Sequence, residues 1–591
     1  MKLSQVYAEG KFKFVKFNEG FNLILGKVKR PKNQNLDSHN LGKTTLIHVI
    51  DFLLLKGFNK GQFLYRNKIK FSEYIFYLEI LLNDGSYLTV KRSVLNNSKI
   101  SFKKHTNKYA DFRDSDNWDY KDISFDKAKD ILNDFLDFDI LQEYDYRKTV
   151  SYFLRSQEDY LDVFQLNKYR SSRDLEWKPV LLQLLGFDGT LLTDKYNLDE
   201  TIKNIDAQIN LLENQSIVSA KELDKIKGLI EVKKEEKETL NKQLEEFDFY
   251  RKEKDINFEL VDKIESGISD LNTFIYNLDY EAGKIEESLK NQIEFNLEDI
   301  RTLYKEVGIY FPKELVKRYE DVVEFNHLLY EERNQHLVER SQEIRKERVE
   351  VEKELIDLNS KRSNLLSVLQ SKDTFQKFKE YQNDLIKIES ELVMLQESMK
   401  KVDEIGSLND KIKSLNDTRE KLKKNIEKNV YGGNSIYSEI RKTFNNIIKE
   451  IINLPAIPSI EINNLGNVEF HADIQETVGE EITAKGMGTT YKKLLCVAFD
   501  LSILIAYANH SFFKFVYHDG VLEGLDNRKK VRFIECVRNI CKQYDLQYIL
   551  TSIEHDLPRD AENRTIDFNP DEIALTLSDE GDEGRLFEQS F

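Results

Sequence analysis

Residues 21–26 read FNLILG, and residues 40–55 read NLGKTTLIHVIDFLLL. The first stretch is a short apolar run that ends in glycine, which is typical of a buried strand. The second places Gly-Lys-Thr-Thr directly before a segment with the apolar spacing of an amphipathic helix. A glycine loop between a strand and a helix N-terminus presents backbone N–H groups to phosphate. The two stretches therefore predict a phosphate-binding loop of the Walker A kind.

Each residue of this loop has a predicted task. The Lys43 ammonium is expected to reach the β- and γ-phosphates of ATP, and the Thr44 hydroxyl is expected to ligate Mg²⁺. The backbone around them completes the predicted nucleotide site, at Asn40, Gly42 and Thr45. The first glycine of the usual spacing is missing, since Asp37 stands there. Gly26 follows the strand instead, and a basic insertion separates it from the motif, with cations at Lys27, Lys29, Arg30 and Lys32.

A second pattern lies near the other end of the chain, where residues 511–526 read SFFKFVYHDGVLEGLD. The apolar run from Phe512 to Tyr517 predicts a buried parallel strand that ends at His518-Asp519. An acid at the carboxyl end of such a strand lies beside a phosphate loop and can orient Mg²⁺ and water. The alternative is that Asp519 caps a helix.

Residues 484–508, AKGMGTTYKKLLCVAFDLSILIAYA, place a glycine turn before a long apolar helix. Such a turn presents hydroxyl groups and a helix N-terminus, so it is a second candidate for anion binding. Its predicted contact residues are Gly488, Thr489 and Thr490. Another apolar strand, LQYILTS, follows at residues 546–552. Because strands and helices alternate at both ends of the chain, the sequence predicts an α/β head assembled from both ends.

The middle of the chain has a different character. Between Pro179 and Pro455 there is a single proline, Pro312, so long uninterrupted helices are possible. Apolar residues recur there with alternating steps of three and four, a heptad seam flanked by Lys and Glu. The seam includes Leu198, Ile202, Ile205, Ile209, Leu223, Ile226, Ile230, Leu240, Val351, Leu355, Leu358, Leu385, Ile388, Leu392, Leu395, Ile405 and Leu408.

Two heptad arms around a short middle segment predict an inserted long antiparallel coiled coil, in which one arm goes out and the other returns. A helical bundle with bent helices is the alternative. The segment around Gly308 and Pro312 is expected to form a small packed tip. The predicted boundaries are residues 1–194 and 431–591 for the two halves of the head, 195–290 and 336–430 for the arms, and 291–335 for the tip.

Charge is distributed unevenly along a chain whose formal net charge is -16. Residues 1–70 hold 14 Lys or Arg against 4 Asp or Glu, whereas residues 559–591 hold 3 against 10. The basic region is either a face that meets the phosphates of nucleotide or DNA, or an ordinary solvated surface. Three cysteines without metal-ligand spacing, no apolar run of about 20 residues and no secretory leader predict a cytoplasmic protein without a membrane partner.

Together these motifs resemble the SMC and SbcC-like branch of the ABC-type ATPases. In that branch the order is Walker A, Q-loop, coiled coil out, coiled coil back, signature, Walker B and D-loop. Gln157, in SYFLRSQEDY, is similar to the Q-loop glutamine, which contacts Mg²⁺. GMGTTYKKLLCVAFDLSIL stands at the signature position, Asp519 matches the metal-binding acid of Walker B, and Leu525-Asp526 match the D-loop. The resemblance thus implies an ABC-type head split between the chain ends.

Four stretches resemble more specifically an SMC-like family of bacterial three-component defence systems, of which Lamassu is one. They are DSHNLGKTTL, WKPVLLQLLGFD, GIYFPKELVKRYEDVVEF and GTTYKKLLCVAFDL. The resemblance implies a homodimer that sandwiches ATP between two heads and senses double-stranded DNA without reading its sequence. It also implies a separate nuclease-like effector and a small adaptor, acting in defence against phage or plasmids.

Three departures from the family pattern bear on catalysis. Gly520 stands after Asp519, where most ABC-type ATPases carry a glutamate, and the nearest alternatives are Glu523 and His518. The signature lacks Ser-Gly-Gly, so Thr489 or Thr490 would have to serve. Ser552-Ile553 replace the switch histidine. Asp519, Glu523 and His518 are therefore the candidate catalytic residues of an ATPase whose turnover stays open.

Two other functions remain alternatives at this stage. The first is a nucleotide-gated coiled-coil scaffold that binds ATP without hydrolysing it, which Gly520 and the acidic total charge favour. The second is a DNA-repair ATPase of the SbcC type, which would act with a partner nuclease.

Overall fold

The structure is a computed structural model, and its described residues form two compact units. Unit 1 comprises Met1–Lys203 and Ser414–Phe591, and unit 2 comprises Asn204–Lys413. Unit 1 is thus built from both ends of the chain. The described residues are 1–27, 41–215, 223–246, 258–290, 313–366, 372–474, 489–559 and 564–589.

The elements follow one another in three groups. Before the long helices come β1 (Lys2–Glu9), β2 (Val15–Lys16), β3 (Phe21–Lys27), α1 (Lys43–Leu53), α2 (Phe63–Arg66), β4 (Ile75–Leu81), β5 (Tyr87–Ser93), β6 (Lys99–His105), β7 (Tyr120–Ser124), α3 (Phe125–Leu136), β8 (Leu154–Arg155) and α4 (Lys178–Leu184). The long helices are α5 (Thr190–Gln215), α6 (Leu223–Glu246), α7 (Phe258–Lys290), α8 (Lys313–Leu366) and α9 (Lys372–Gly432). After them come α10 (Ser435–Ile452), β9 (Ala456–Ile462), β10 (Val468–Ile474), α11 (Thr489–Ala506), β11 (Phe515–Asp519), α12 (Asn527–Tyr544), β12 (Gln547–Ile553) and β13 (Ile573–Ser578).

Unit 1 contains two larger sheets. The first is antiparallel throughout, in the order β2-β1-β4-β5-β6-β7. The second has the order β13-β3-β12-β11-β8, and all its described pairings are parallel. In this parallel sheet, β3 and β8 come from the first part of the chain, and β11, β12 and β13 come from the last part. The separate hairpin of β9 and β10 is antiparallel.

The parallel sheet forms because its strands are apolar on both faces, as strands covered by helices on each side must be. All five residues of β11 are buried, as are six of the seven in β3 and in β12. Parallel strands present their carboxyl ends at one edge, so the residues that follow β3, β11 and β12 meet there. This edge carries the candidate site.

Unit 2 consists of long helices that pair in antiparallel fashion. Between α6 and α9, Lys237 bonds Glu389 at 2.8 Å, and between α7 and α8, Arg362 lies 3.5 Å from Glu265. From Lys237 to Glu265 the residue number rises by 28, whereas from Glu389 to Arg362 it falls by 27. The two arms therefore run in opposite directions. Apolar seams lie between the paired helices, one of them built on Ile226, Ile230, Ile388 and Leu392.

The predictions of an α/β fold and of a coiled coil are confirmed. The predicted seam residues of the arms that are buried include Ile202, Ile205, Ile209, Ile226, Ile230, Ile388, Leu392 and Ile405. Residues 291–312 of the predicted tip lie outside the described residues, and residues 313–335 belong to α8. The predicted domain boundaries, and the assignment of unit 1 as an ABC-type head, stay predictions. Among the described helices, none combines the length and apolarity that crossing a bilayer requires.

Candidate functional site

The site begins where α1 starts. Gly42 precedes α1 in the left-handed conformation, with φ +98°, which favours glycine. A Cβ atom on Gly42 would also lie 2.7 Å from Cβ of Leu586, so the position has no room for a side chain. The next residues, Lys43 to Thr45, form the first turn of an 11-residue helix whose backbone N–H groups are open to a ligand.

Lys43 and Thr44 lie where the carboxyl ends of the parallel strands meet. The Nζ of Lys43 lies 3.0 Å from the position that a Cβ on Gly26 would occupy, at the end of β3. The Thr44 hydroxyl donates a hydrogen bond of 2.7 Å to a carboxylate oxygen of Asp519. The half-buried Thr45 continues the first turn of α1, whereas Asn40 lies outside the described residues. Residues 475 positions apart in sequence are therefore in direct contact.

Asp519 ends β11 with its carboxylate turned toward α1. Its second carboxylate oxygen accepts a hydrogen bond from the Thr551 hydroxyl of β12, and the same hydroxyl accepts one from Gly520 N at 3.1 Å. The residue is 1% exposed. The alternative that this acid caps a helix does not fit the structure, because the residue that caps α12 is Asp526. Asp519 instead presents a carboxylate beside the Thr44 hydroxyl.

Position 520, where the ATPases that the sequence resembles usually carry a glutamate, is a glycine in crowded surroundings. It has φ +65°, and a Cβ on it would lie 2.5 Å from Nε2 of Gln157 and 3.0 Å from a carboxylate oxygen of Glu523. The space in which a side chain at position 520 would begin is thus filled by these two polar groups. Gln157 Nε2 also donates a hydrogen bond of 3.1 Å to Glu523. A carboxylate from three residues later in the chain therefore lies beside Gly520.

Lys493 of α11 fixes this carboxylate from another side. Its Nζ donates a hydrogen bond of 2.9 Å to the Gly520 carbonyl oxygen and lies 3.4 Å from the second oxygen of Glu523. Glu523 therefore has an amide donor and an ammonium as neighbours, while its side chain remains 41% exposed. A carboxylate held in this way and open to water can accept a proton.

His518 lies in a different environment from its neighbour Asp519, because successive residues of a strand point to opposite faces. Its Nδ1 lies 2.8 Å from the Tyr548 hydroxyl, and its Nε2 lies 3.0 Å from a carboxylate oxygen of Asp500. Asp500 is in turn bound by Arg155 through two hydrogen bonds of 2.5 and 2.9 Å. His518, Tyr548, Asp500 and Arg155 thus form a buried network. The described contacts of His518 are to this network and not to Thr44 or Asp519.

Burial governs the protonation of the network. Burial lowers the pKa of His518 below its ordinary value, so the imidazole is neutral near pH 7. Burial would also lower the pKa of Arg155, but the adjacent Asp500 carboxylate outweighs it and raises that pKa. Arg155 and Asp500 form an ion pair that is fully buried on both sides. The network links β8, α11 and β11 through charge and hydrogen bonds.

The predicted signature and D-loop residues lie next to each other. Thr490 Oγ1 lies 3.1 Å from the position that a Cβ on Gly524 would occupy. Asp526 accepts backbone hydrogen bonds from Arg528 and Lys529 and caps α12. Thr489 opens α11, and Gly488 lies outside the described residues. Thr490 therefore lies in the first turn of α11, beside the loop that leads to Asp526 at the start of α12.

The donor set fits ATP with Mg²⁺. A helix N-terminus, an ammonium, a hydroxyl and a carboxylate are the groups that bind a triphosphate and its metal. Within the described residues no cluster of three or more His, Cys, Asp or Glu could hold a metal. Mg²⁺ here would accordingly take one carboxylate, one hydroxyl, phosphate oxygens and water, as it does in phosphoryl-transfer sites.

Several residues of the site escaped sequence reasoning, among them Thr551, Lys493, Arg155 and Leu586. The sequence signal for Thr551 was weak, because it is one of three polar residues in the otherwise apolar stretch LQYILTS. Asp500 gave a stronger signal, as a carboxylate inside the apolar run of α11. An acid in such a run predicts a buried partner of opposite charge.

One family model matches part of the chain, residues 447–591, and it describes an uncharacterised protein conserved in bacteria, DUF2326. The matched region begins in α10 and contains the elements from β9 to β13. No curated protein gives a significant match.

Solved structures give loose matches over most of the chain. One is the Smc head domain with a coiled coil and joint from Pyrococcus yayanosii, 13% identical, with a TM-score of 0.35, covering 93% of this chain and 92% of that chain. Another is the Smc head domain with an extended coiled coil bound to the C-terminal domain of ScpA from Pyrococcus furiosus, 12% identical, with a TM-score of 0.31 and coverage of 94% and 90%. A third, the SmcHead bound to the C-winged helix domain of ScpA, is 9% identical, with a TM-score of 0.34 and coverage of 94% and 90%. At these TM-scores the likeness defines neither fold nor activity, so the proposals below rest on contacts within this chain.

Proposed function

We propose that this chain binds ATP with Mg²⁺ at the edge where β3, β11 and β12 end, and that it is an ATPase of the SMC-like kind. The observation that carries the proposal is the 2.7 Å hydrogen bond between the Thr44 hydroxyl and the Asp519 carboxylate. A Walker A threonine and a strand-end acid that meet in this way form the two protein ligands that Mg²⁺ needs beside a triphosphate.

Each residue of the proposed site has a separate role in binding ATP and Mg²⁺. The first turn of α1 offers backbone N–H groups to the phosphates, and Lys43 supplies a positive charge beside Gly26. Thr44 and Asp519 hold the metal, which neutralises charge on the phosphate oxygens. Thr551 keeps Asp519 in place through its hydroxyl. Gln157 is a third candidate metal contact, and its amide already lies beside Glu523.

Hydrolysis is assigned to Glu523. Its carboxylate lies beside Gly520, and Gln157 and Lys493 hold it there. In the proposed step, a water oxygen bonds to the γ-phosphorus, its proton passes to Glu523, and the bond from the γ-phosphorus to the β,γ-bridging oxygen breaks to release ADP. His518, in contrast, is proposed to support β11 through the buried network and to touch neither water nor nucleotide.

The wider function is proposed from the motif order and the charge pattern. Two heads would engage around ATP as a homodimer, and this engagement would be coupled to binding of double-stranded DNA. The excess of Lys and Arg in residues 1–70 supports a phosphate-directed, sequence-independent contact with DNA. Bacterial defence, with a separate nuclease-like effector and an adaptor, is the setting that the quoted motifs favour.

A second candidate is the nucleotide-gated scaffold, which binds ATP without turnover and holds partner proteins on its coiled coil. The observation that favours it is Lys493, whose ammonium lies 3.4 Å from Glu523. This ion pair occupies one oxygen of the carboxylate that hydrolysis would need as the base. The repair ATPase of the SbcC type has no comparable observation in its favour.

ATP turnover by the full chain, with and without linear double-stranded DNA, separates these candidates. We expect turnover in the wild type, a stimulation by DNA, and a loss of at least about 100-fold in Glu523→Gln, since that variant lacks the base. Glu439→Gln, a change of an exposed carboxylate on α10 of the same unit, is the matched control and should keep wild-type turnover. ATP binding without turnover would favour the scaffold, and full turnover in Glu523→Gln would refute the assignment of the base.

A further inference from the structure

The segment that follows β12 contacts both described flanks of the phosphate-binding region, which are the end of β3 and the residues Leu41 and Gly42 before α1. β13 pairs with β3 in parallel, and Leu577 lies opposite Gly26 while Ser578 lies opposite Lys27. These two residues of β3 are the last ones described before Leu41. One side of the region is therefore held by β13 through a strand ladder.

The other side is held by residues only a few positions further along. Leu586 N donates a hydrogen bond of 3.1 Å to the carbonyl oxygen of Leu41, directly before Gly42. The Leu586 side chain is fully buried and fills the space beside Gly42 that a Cβ would need. The conformation of Gly42 and the packing of Leu586 thus depend on each other.

Phe587 anchors this contact in the core. Its ring lies within 4.9 to 5.6 Å, between centroids, of three rings from unit 1, those of Phe12, Phe71 and Tyr74. The carbonyl oxygen of Leu586 also accepts a hydrogen bond of 2.9 Å from Lys13 N. The segment is consequently fixed to residues of unit 1 that lie outside the predicted nucleotide site.

A tight turn connects the two contacts. Gly584 lies so close to the Ser578 carbonyl oxygen that an added Cβ would be 2.3 Å from it. Arg585 N then donates a hydrogen bond of 3.0 Å to Asp582 O. The turn returns the chain from the end of β13 to Leu41 within eight residues, so one short segment reaches both described flanks of the region.

We propose that residues 577–587 are a brace for the phosphate-binding region, with Leu586 and Phe587 as its positioning residues. Leu586 packs against Gly42 of the predicted nucleotide site, and the segment fixes the end of β3 and the start of α1 relative to one another. An effect of this brace on nucleotide affinity rests on the proposed function. Its contacts with Leu41 and Gly42 do not depend on that function. Without the brace, α1 would fray at its first turn and its N–H groups would lose their fixed direction.

Hydrogen exchange on the full chain without nucleotide tests the brace directly. In Leu586→Ala we expect the amides of residues 43–49 to exchange at least about 10-fold faster, while those of β10 keep their wild-type rate. The matched control is Leu136→Ala, a truncation of an equally buried leucine at the end of α3, which should leave residues 43–49 unchanged. Unchanged exchange at residues 43–49 in Leu586→Ala would overturn the proposal.

Two milder variants guard against loss of folding, and a second readout connects the brace to binding. Leu586→Val and Phe587→Leu keep apolar groups and should show the same effect in weaker form. Affinity for fluorescent ATP should fall at least about 10-fold in Leu586→Ala and stay unchanged in Leu136→Ala. If the wild type bound no ATP, the proposed function would fail, and exchange at residues 43–49 would still decide whether the brace exists.

Discussion

At the scale of single residues, Gly520 shows how a missing side chain can be part of a site. Its positive φ keeps the backbone in a conformation that other residues rarely adopt, and Gln157 and Glu523 occupy the space beside its Cα. A larger residue there would have to displace the carboxylate that we assign as the base. The departure from the usual glutamate and the position of Glu523 therefore belong together.

The variant Gly520→Ala tests this dependence. We expect turnover to fall at least about 10-fold, because the new methyl group would displace the Gln157 amide and the Glu523 carboxylate. The strain of the left-handed backbone alone should cost roughly 1–2 kcal/mol of stability. Gly85→Ala is the matched control, since Gly85 has φ +83° with no atom within 4 Å of an added Cβ. Equal turnover in both variants would show that the crowding at Gly520 is unimportant.

The buried ion pair of Arg155 and Asp500 gives a prediction about stability. Asp500→Ala leaves a buried guanidinium without its carboxylate, and we expect a loss of about 3–5 kcal/mol in the free energy of unfolding. Asp84→Ala removes the carboxylate of an exposed pair, 2.7 Å from Lys104, and should cost only about 0–1 kcal/mol. Denaturant titration of both variants measures the difference. Similar losses would mean that the buried pair adds nothing special.

At the scale of elements, the sequence predicted the strands that are buried on both faces. FNLILG, the run before Asp519 and LQYILTS became β3, β11 and β12, because continuous apolar runs are what a covered parallel sheet requires. The two-residue β8 carried no sequence signal at all, since its place beside β11 depends on tertiary contacts.

The antiparallel register of the arms can be measured by cross-linking. Lys233 lies 3.0 Å from Glu391, so Lys233→Cys with Glu391→Cys should be joined within one chain by a short bismaleimide. In the control pair, Lys233→Cys with Asp403→Cys, the second cysteine is 12 residues further along α9, roughly 18 Å away along the axis. We expect efficient cross-linking only in the first pair. Preferential reaction of the control pair would contradict the register.

At the scale of the whole molecule, unit 1 joins residues from both ends of the chain into one site. The sequence was enough to name Lys43, Thr44 and Asp519 as candidates, because each belongs to a local motif with a known chemical task, and the fold brings Thr44 and Asp519 into contact. It was not enough to predict Thr551, Lys493 or Leu586, because their contacts form only when distant segments pack together. Leu586 is a good example, since it lies 544 residues after Gly42 and yet fills the space beside it.

Binding of ATP through the first turn of α1 and the end of β11 is the property on which the proposed function depends. The most direct measurement is equilibrium binding of ATP with Mg²⁺ to the full wild-type chain and to Lys43→Ala, with Lys60→Ala on the surface as the matched control. We expect Lys43→Ala to bind at least about 10-fold more weakly, because it lacks the ammonium beside Gly26, and Lys60→Ala to bind as the wild type does. Equal affinity in the wild type and in Lys43→Ala would contradict the account.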